Sequence, residues 1–373
     1  MFFAPRSGGV KRYLLAKHAW LEQQPGIRHS LVVPGATDGS DGQGLMTVAS
    51  PRIPLGNGYR WPLRSRRWRQ RIVAQAPDLI EAGDPYGPAW QAQAAARRLQ
   101  VPVVGFCHSD LMGLAQARAG ACTRAGIARY MHALYTRFDL VLAPSRHMCR
   151  GLGELGLQRV VQQPLGVDLE LFHPDRRDPR LRSQLGLAPD TRLLIYAGRF
   201  SREKNIPVLV EAFERLGAGY HLLLVGASQA TRRHRGQRNV TVMSFLGEGE
   251  PLARLIASAD AFVHAGDRET FGLVALEAMA CGLPVIAPER GAMGELVDGT
   301  VGYQVPARQP GTLAEAVTAL YEGDRRERLA GQARERAAHY SWARVLGQQL
   351  ELYRGIVGAA HVPTNGVAQR ALG

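Results

Sequence analysis

Lysine is almost missing from this chain. Of 46 basic residues only Lys11, Lys17 and Lys204 are lysine, and the rest are arginine. A GC-rich coding sequence can produce that bias, so by itself it names no function. Cysteine is scarce as well: Cys107, Cys122, Cys149 and Cys281 form no C-x-x-C pair and no metal-ligand spacing, which excludes a disulfide framework and fits reduced thiols in the cytoplasm. No apolar run approaches the ~18 residues that a membrane span requires. The opening "MFFAPRSGG" has no secretory h-region, so export is not expected. Zinc-finger spacing, RNA-recognition signatures and internal repeats are all lacking, and nucleic acid is not an expected partner.

What is present is ample for folding. The 373 residues exceed the ~100–200 usual for one domain, which predicts two. Hydrophobic content of 46% with 21% charged residues lets each half bury its own core. The net charge of +14 favours an anionic partner: a nucleotide, nucleic acid or acidic lipid. Short apolar runs alternate with longer amphipathic stretches, the pattern of parallel α/β units. Strands are predicted at 78–82, 102–106 and 139–143 in the first half, and at 193–198, 221–226, 240–245, 261–265 and 284–287 in the second. The Pro-, Asp- and Arg-rich segment 164–187 reads as a linker plus the first helix of a second domain. We therefore expect domains at 1–163 and 164–340, a helix at 341–358, and a flexible tail at 359–373. An α/β domain should open with a strand, and only "MFFAP" precedes the turn "RSGG", so that strand is expected to be very short.

"GLGELG" (151–156) satisfies G-x-G-x-x-G. It follows a helical stretch rather than a strand, so its glycines read as helix caps and not as a nicotinamide fingerprint. More informative is "ETFGLVALEAMACGLPV" (269–285). A loop leaving the carboxyl end of a parallel strand and running straight into a helix is where α/β proteins bind phosphates. The amides of Phe271, Gly272, Leu273 and Val274 are potential free donors there. Glu269 and Glu277 stand eight residues apart, ~12 Å if all helical, enough to reach from one sugar past a diphosphate to a ribose. The alternative is an N-terminal helix acid at 269 and a buried, arginine-paired acid at 277. "YAGRFSREKN" (196–205) leaves a second strand end, and Arg199 and Lys204 there could hold a diphosphate; Lys204 could equally be a surface lysine opening a helix. No D-x-D pattern for a nucleotide-bound metal occurs, so fixed cations would have to neutralise a leaving group.

These pieces together resemble the retaining glycosyltransferases of family four. "ETFGLVALE" is similar to that family's E-x7-E element and "GRFSREKN" to its Arg…Lys diphosphate clamp. "LGVDLELFHPD" is similar to the segment opening its donor domain, "RSGGVKRYL" to its glycine loop, and "FCHSD" stands in the place of its N-domain histidine. The resemblance covers about residues 6–355. It implies the GT-B fold: α/β, two Rossmann-like parallel-sheet domains facing across a cleft, the second binding a nucleotide-sugar donor and the helix 341–358 crossing back to the first. It implies that Glu269 bonds the donor sugar, Glu277 the ribose, and Arg199 and Lys204 the diphosphate, with backbone donors at Phe271, Gly272 and Leu273. Gly8 and Gly9 would approach the phosphates and acceptor. His108 would lie near the reacting carbon with Asp110 orienting it; on its own, a lone histidine could equally be a core residue. The catalytic set is thus His108, Arg199, Lys204 and Glu269, with neither metal nor cofactor beyond the donor itself.

The implied activity is retaining transfer of a hexose from a nucleotide-diphospho-sugar to a glycan or lipid-linked acceptor. The "HAGDRETFG" neighbourhood leans toward GDP-mannose and mannosyl transfer. A sugar-nucleotide epimerase and a non-catalytic sugar-binding protein are the alternatives. "RWPLRSRRWRQR" (60–71) combines six arginines with two tryptophans. That composition fits docking on an anionic membrane at its cytoplasmic face, or a solvated arginine-rich face with Trp68 packed inward.

Overall fold

The computed structural model describes residues 3, 8–54, 58–61, 65–83, 85–113, 121–226, 239–244 and 249–360. Two compact units emerge. The first comprises 1–143, 151–163 and everything from residue 345 on; the second comprises 144–150 and 164–344. Apart from Phe3, which is in no strand, the expected opening strand lies outside the described residues, as do residues 361–373 of the expected tail; residues 359–360 finish a helix.

In the first unit the helix Gly9–Leu21 leads into a three-stranded sheet of β1 (Leu31–Gly35), β2 (Gly39–Ser40) and β3 (Leu45–Ala49), in the order β1-β3-β2. None of the three was predicted. β1 contains Pro34, which a strand tolerates at a sheet edge, where β1 lies. A parallel sheet follows, ordered β4 (Ile80–Ala82), β5 (Val103–Phe106), β6 (Leu140–Ala143), β7 (Val160–Gln162). Its central strands are buried on both faces, as their unbroken apolar runs demand. The last helix, Trp342–Ala360, spends most of its length in this unit.

The second unit is one six-stranded parallel sheet. Its strands are β8 (Arg192–Ala197), β9 (Tyr220–Val225), β10 (Val240–Met243), β11 (Ala261–Val263), β12 (Val285–Pro288) and β13 (Gly302–Val305). The order across the sheet is β10-β9-β8-β11-β12-β13. Leu194, Tyr196, Leu222, Leu224, Val263 and Ile286 project from it into a core closed by helices such as Ile206–Leu216. That helix carries Pro207 in its first turn, where the ring costs no hydrogen bond, and ends at Gly217 with φ +77°. The helix predicted within 164–187 is only Leu181–Gln184, hemmed in by Pro179 and Gly186.

Numbered within the unit, this order is 3-2-1-4-5-6, the doubly wound arrangement. The chain leaves β8 toward one edge and returns at β11 to build toward the other. Loops at the carboxyl ends of these two neighbours diverge and leave a crevice, and that is where such sheets bind ligands. The loop after β8 carries Arg199 and Lys204; the loop after β11 carries Glu269.

Candidate active site

Around the β8–β11 switch point the side chains interlock. Lys204 closes a short 3-10 turn (Arg202–Lys204), and its ammonium donates to Glu269 Oε1. His264, the residue after β11, bonds the same oxygen through Nε2 at 2.9 Å. The other ring nitrogen of His264, Nδ1, accepts the Gly266 N–H at 3.0 Å. An acceptor at Nδ1 puts the proton of a neutral ring on Nε2, so His264 donates to the carboxylate. Both donors use Oε1, and among the described residues nothing occupies Glu269 Oε2. Burial alone would raise this carboxyl, but the Lys204 ammonium and the His264 N–H outweigh it and hold it well below the usual carboxylate range. Glu269 is therefore a fixed, ionised group with one oxygen committed and one available.

Two glycines let this loop close up. A Cβ on Gly266 would fall 2.6 Å from His264 Cε1 and 2.9 Å from the Glu203 carbonyl, so only glycine lets the β11 loop pass against the β8 loop. The Asn205 amide clips the same loop by donating to the Ala265 carbonyl at 3.0 Å. Gly272 caps the helix Leu273–Ala280 at φ +99°, and a Cβ there would lie 2.5 Å from Met293 Sδ. Phe271 and Leu273 flank it as buried anchors, and the helix starts four residues after Glu269. Glu277 lies in the middle of that helix, 2% exposed among apolar residues.

Arg199 is exposed on the β8 loop, and its side chain enters no ion pair among the described residues. Its charge and that of Glu269 both bear on the buried Tyr196 phenol, whose hydroxyl donates to the Arg199 carbonyl at 3.1 Å. Burial raises the Tyr196 phenol, Glu269 and Glu203 add to this, and Arg199 opposes. Of the predicted residues of the second unit, Lys204 and Glu269 thus touch, Arg199 shares the loop of Lys204, and Phe271, Gly272 and Leu273 follow Glu269 into the helix; Glu277 lies buried inside that helix. The sequence reading missed His264, although its signal was there: an imidazole ending an otherwise apolar strand, one residue before a loop.

The first unit holds Gly8, Gly9 and His108. Gly8 caps the helix that Gly9 opens, and a Cβ there would meet nothing. His108 follows β5 and is 5% exposed, its ring stacked on Phe106 at 4.0 Å and 10°. Asp110 does not orient it. The Asp110 carboxylate instead accepts the Gly113 N–H at 2.7 Å, because two residues on the chain has already turned into a helical segment that needs a cap. In the basic stripe, Trp68 is buried on the helix Ser65–Val73 while Arg66 and Arg67 are exposed; residues 62–64 lie outside the described residues. Among the described residues no three His, Cys, Asp or Glu side chains are grouped to hold a metal ion, and no helix is long and apolar enough to cross a membrane.

Comparison with known proteins bears on the whole chain. Residues 7–171 match the family model for Glycosyltransferase Family 4 and residues 191–323 that for Glycosyl transferases group 1. A GDP-mannose-dependent alpha-(1-6)-phosphatidylinositol dimannoside mannosyltransferase of Mycobacterium tuberculosis is 30% identical, over 94% of this chain and 93% of that one. A GDP-mannose-dependent alpha-mannosyltransferase of the same organism is 33% identical over 95% of each. Among solved structures, sucrose-phosphate synthase from Thermosynechococcus elongatus has a TM-score of 0.80 at 23% identity, covering 95% of this chain and 94% of that one. Anabaena HepE in complex with UDP and glucose has a TM-score of 0.73 at 20% identity, covering 94% and 97%. At such identities the structures speak for the fold, which is GT-B, and the sequence relatives speak for descent: the chain belongs to glycosyltransferase family 4 and is a glycosyltransferase.

Proposed function

We propose that this glycosyltransferase moves mannose from GDP-mannose to a hydroxyl of a glycan or lipid-linked acceptor, retaining the anomeric configuration and using no bound metal. The observation that carries this reading is the Lys204–Glu269–His264 cluster at the switch point. It offers an ionised carboxylate oxygen for sugar hydroxyls beside a cation for phosphate. The two mycobacterial relatives, both named as GDP-mannose-dependent, support the choice of donor.

In this reading Glu269 Oε2 accepts hydroxyl hydrogens of the donor hexose and Glu277 those of the ribose. Arg199, Lys204 and the amides of Phe271, Gly272 and Leu273 hold the diphosphate. As the bond from the anomeric carbon to the phosphate oxygen breaks, charge grows on that oxygen, and preset cations and amides lower the barrier without reorganising. The acceptor oxygen bonds to the same face of the carbon, and its proton passes to the departing phosphate oxygen. No second carboxylate stands out as a nucleophile, which favours this single front-face step. For Gly8, Gly9 and His108 we adopt the roles that the resemblance implies: backbone approach to phosphate and acceptor, and polarisation of a hydroxyl. The lipid-linked branch of acceptors would suit a surface-bound enzyme, with the arginines of 60–71 on anionic headgroups at the cytoplasmic face.

The test is a nucleotide-release assay with GDP-mannose, UDP-glucose and ADP-glucose, each with and without mannoside acceptors and with EDTA, and NMR assignment of the product anomer. Acceptor-dependent GDP release, an α-linked product and indifference to EDTA are expected. An inverted product, or calorimetry that detects no nucleotide sugar, would overturn the reading; a C2 epimer formed without acceptor would move it to an isomerase.

A further inference from the structure

The first unit buries a second lysine–carboxylate pair. Lys17, on the helix Gly9–Leu21, is 4% exposed and directs its ammonium at three oxygens: Glu81 Oε2 at 2.6 Å, Tyr353 OH at 3.0 Å and Tyr13 OH at 3.3 Å. An ammonium has three protons, and each has an acceptor. Gln349, 1% exposed, closes the cluster with its amide against Tyr13 OH and Tyr353 OH, both at 2.8 Å, while Tyr353 OH donates to Glu81. Three elements are joined this way: the helix opened by Gly9, strand β4, and the last helix, Trp342–Ala360.

This cluster adjoins His108. The Tyr13 ring centroid lies 4.9 Å from that of His108, whose ring also stacks on Phe106. Gly83, two residues past Glu81, leaves the space that His108 Nε2 faces; a Cβ there would lie 3.3 Å away. Nε2 is buried and has no hydrogen-bond partner among the described residues. Packing, not hydrogen bonding, therefore orients the ring, and a buried nitrogen of this kind calls for an explanation.

We infer that the Lys17–Glu81 pair, with Tyr13, Tyr353 and Gln349, is a positioning unit that holds the His108 imidazole in one orientation, its Nε2 uncommitted to any described residue and so available to a sugar hydroxyl. The inference rests on the proposed role of His108. Burial lowers the imidazole to about 4 and keeps it neutral; Glu81 opposes this and Lys17, the weaker of the two charges, adds to it, so the pair acts on the ring with opposite signs and partly cancels. Among the described residues of the elements packed around it, the charged and titratable groups are Tyr13, Lys17 and Glu81. Asp110 on its own loop is committed to Gly113, and the His18–His29 pair, its Nδ1 atoms 2.8 Å apart, stands beside Lys17.

Cancellation has a signature that a merely structural role lacks. Glu81→Gln leaves the Lys17 charge and should lower the His108 titration; Lys17→Met leaves the Glu81 charge and should raise it, by about one unit or more. The double variant Lys17→Met/Glu81→Gln should return close to wild type. The readouts are NMR titration of the ring-labelled full chain, assigned by His108→Ala, and the acid limb of the kcat/KM–pH profile. Shifts of the same sign in both single variants, or none in either, overturn the inference. Tyr353→Phe keeps both charges and guards against misfolding: kcat should fall several-fold with KM and the His108 titration unmoved, and an unchanged kcat counts against positioning. Should His108→Ala turn over normally, the role of His108 fails, while the ring titrations still decide whether the pair governs the imidazole.

Discussion

Replacing Glu269 by Gln tests the donor site most directly, because it keeps the shape and removes the charge. In the free protein Oε1 serves two donors, Lys204 and His264, and among the described residues the carboxylate is the one anion paired with Lys204 within 4 Å. The pair is neither on the surface nor sealed: the side chains are 14% and 21% exposed. Exposed pairs are worth ~0–1 kcal/mol and breaking a buried one costs ~3–5, so a loss of about 2 kcal/mol of stability is expected. If the second unit melts by itself, that is about 4–8 °C in its Tm. The sign against pH is fixed. Glu269 has a folded-state pKa depressed below its unfolded value, so its contribution is full above the unfolded value of ~4.3 and is lost as the pH falls toward the folded one. The gap between wild type and variant should thus be open at pH 7 and narrow below about pH 4. On transfer, Oε2 becomes an amide donor and the charge-assisted bond to the sugar is gone, ~1.5–3 kcal/mol, or roughly 10–150-fold in kcat/KM. GDP affinity should change much less, since GDP lacks the hexose. Matched melts at two pH values, calorimetry with GDP, and kcat/KM for GDP-mannose together make the assay. A variant with wild-type kcat/KM would refute the grip on the sugar, and a Tm gap that widens in acid would refute the ion pair.

Lys204→Arg should retain nucleotide binding yet lose about 10²-fold in kcat, the scale of one misplaced transition-state donor, and turnover within threefold of wild type would show that the leaving group is neutralised elsewhere. His264→Phe fits the same buried space but removes the hydrogen bond to Glu269 and the acceptor for Gly266; steady-state kinetics should give about a tenfold loss in kcat/KM with GDP affinity kept. Gly272→Ala places a methyl 2.5 Å from Met293 Sδ at φ +99°, so chemical denaturation should report a loss of ~1–3 kcal/mol, and an unchanged midpoint would mean that the helix start relaxes freely. For the basic stripe, Arg66→Glu/Arg67→Glu should abolish salt-sensitive co-sedimentation with phosphatidylinositol-containing vesicles; absence of binding by the wild type removes the membrane proposal and leaves a solvated face over Trp68.

The local signals in the sequence carried far because strand ends and helix starts are local events. "LLIYAG" and "AFVHA" read as buried strands, so the segment after each had to be a carboxyl-end loop. What brings those loops together is not local: that β8 and β11 are neighbours comes from two crossovers in opposite directions, and no window of residues records it. Asp110 was misjudged for a related reason. "HSD" has the spacing of a histidine and its orienting acid, but the acid's partner was decided by the backbone of the next turn. Glu81 passed unnoticed because an acid in "DLIEA" reads as the polar face of a short strand. Its partners come from residues 13, 17, 349 and 353, and only the folded chain brings both ends of the sequence to that strand.

The scarcity of lysine now has a structural reading. Two of the three lysines sit against a carboxylate in a polar cluster: Lys17 on Glu81, Lys204 on Glu269. A guanidinium in either place would present a planar fork and pair with both carboxylate oxygens. At Glu269 that would occupy Oε2, the oxygen that the proposed function assigns to the sugar; at Glu81 it would bring five N–H donors where three oxygens now match the three protons of the ammonium. An ammonium is a compact charge on a flexible stem, able to keep Oε1 while turning toward an arriving diphosphate. In a chain that uses arginine nearly everywhere else, lysine persists at two carboxylates where a compact ammonium, and not a planar fork, matches the acceptors present.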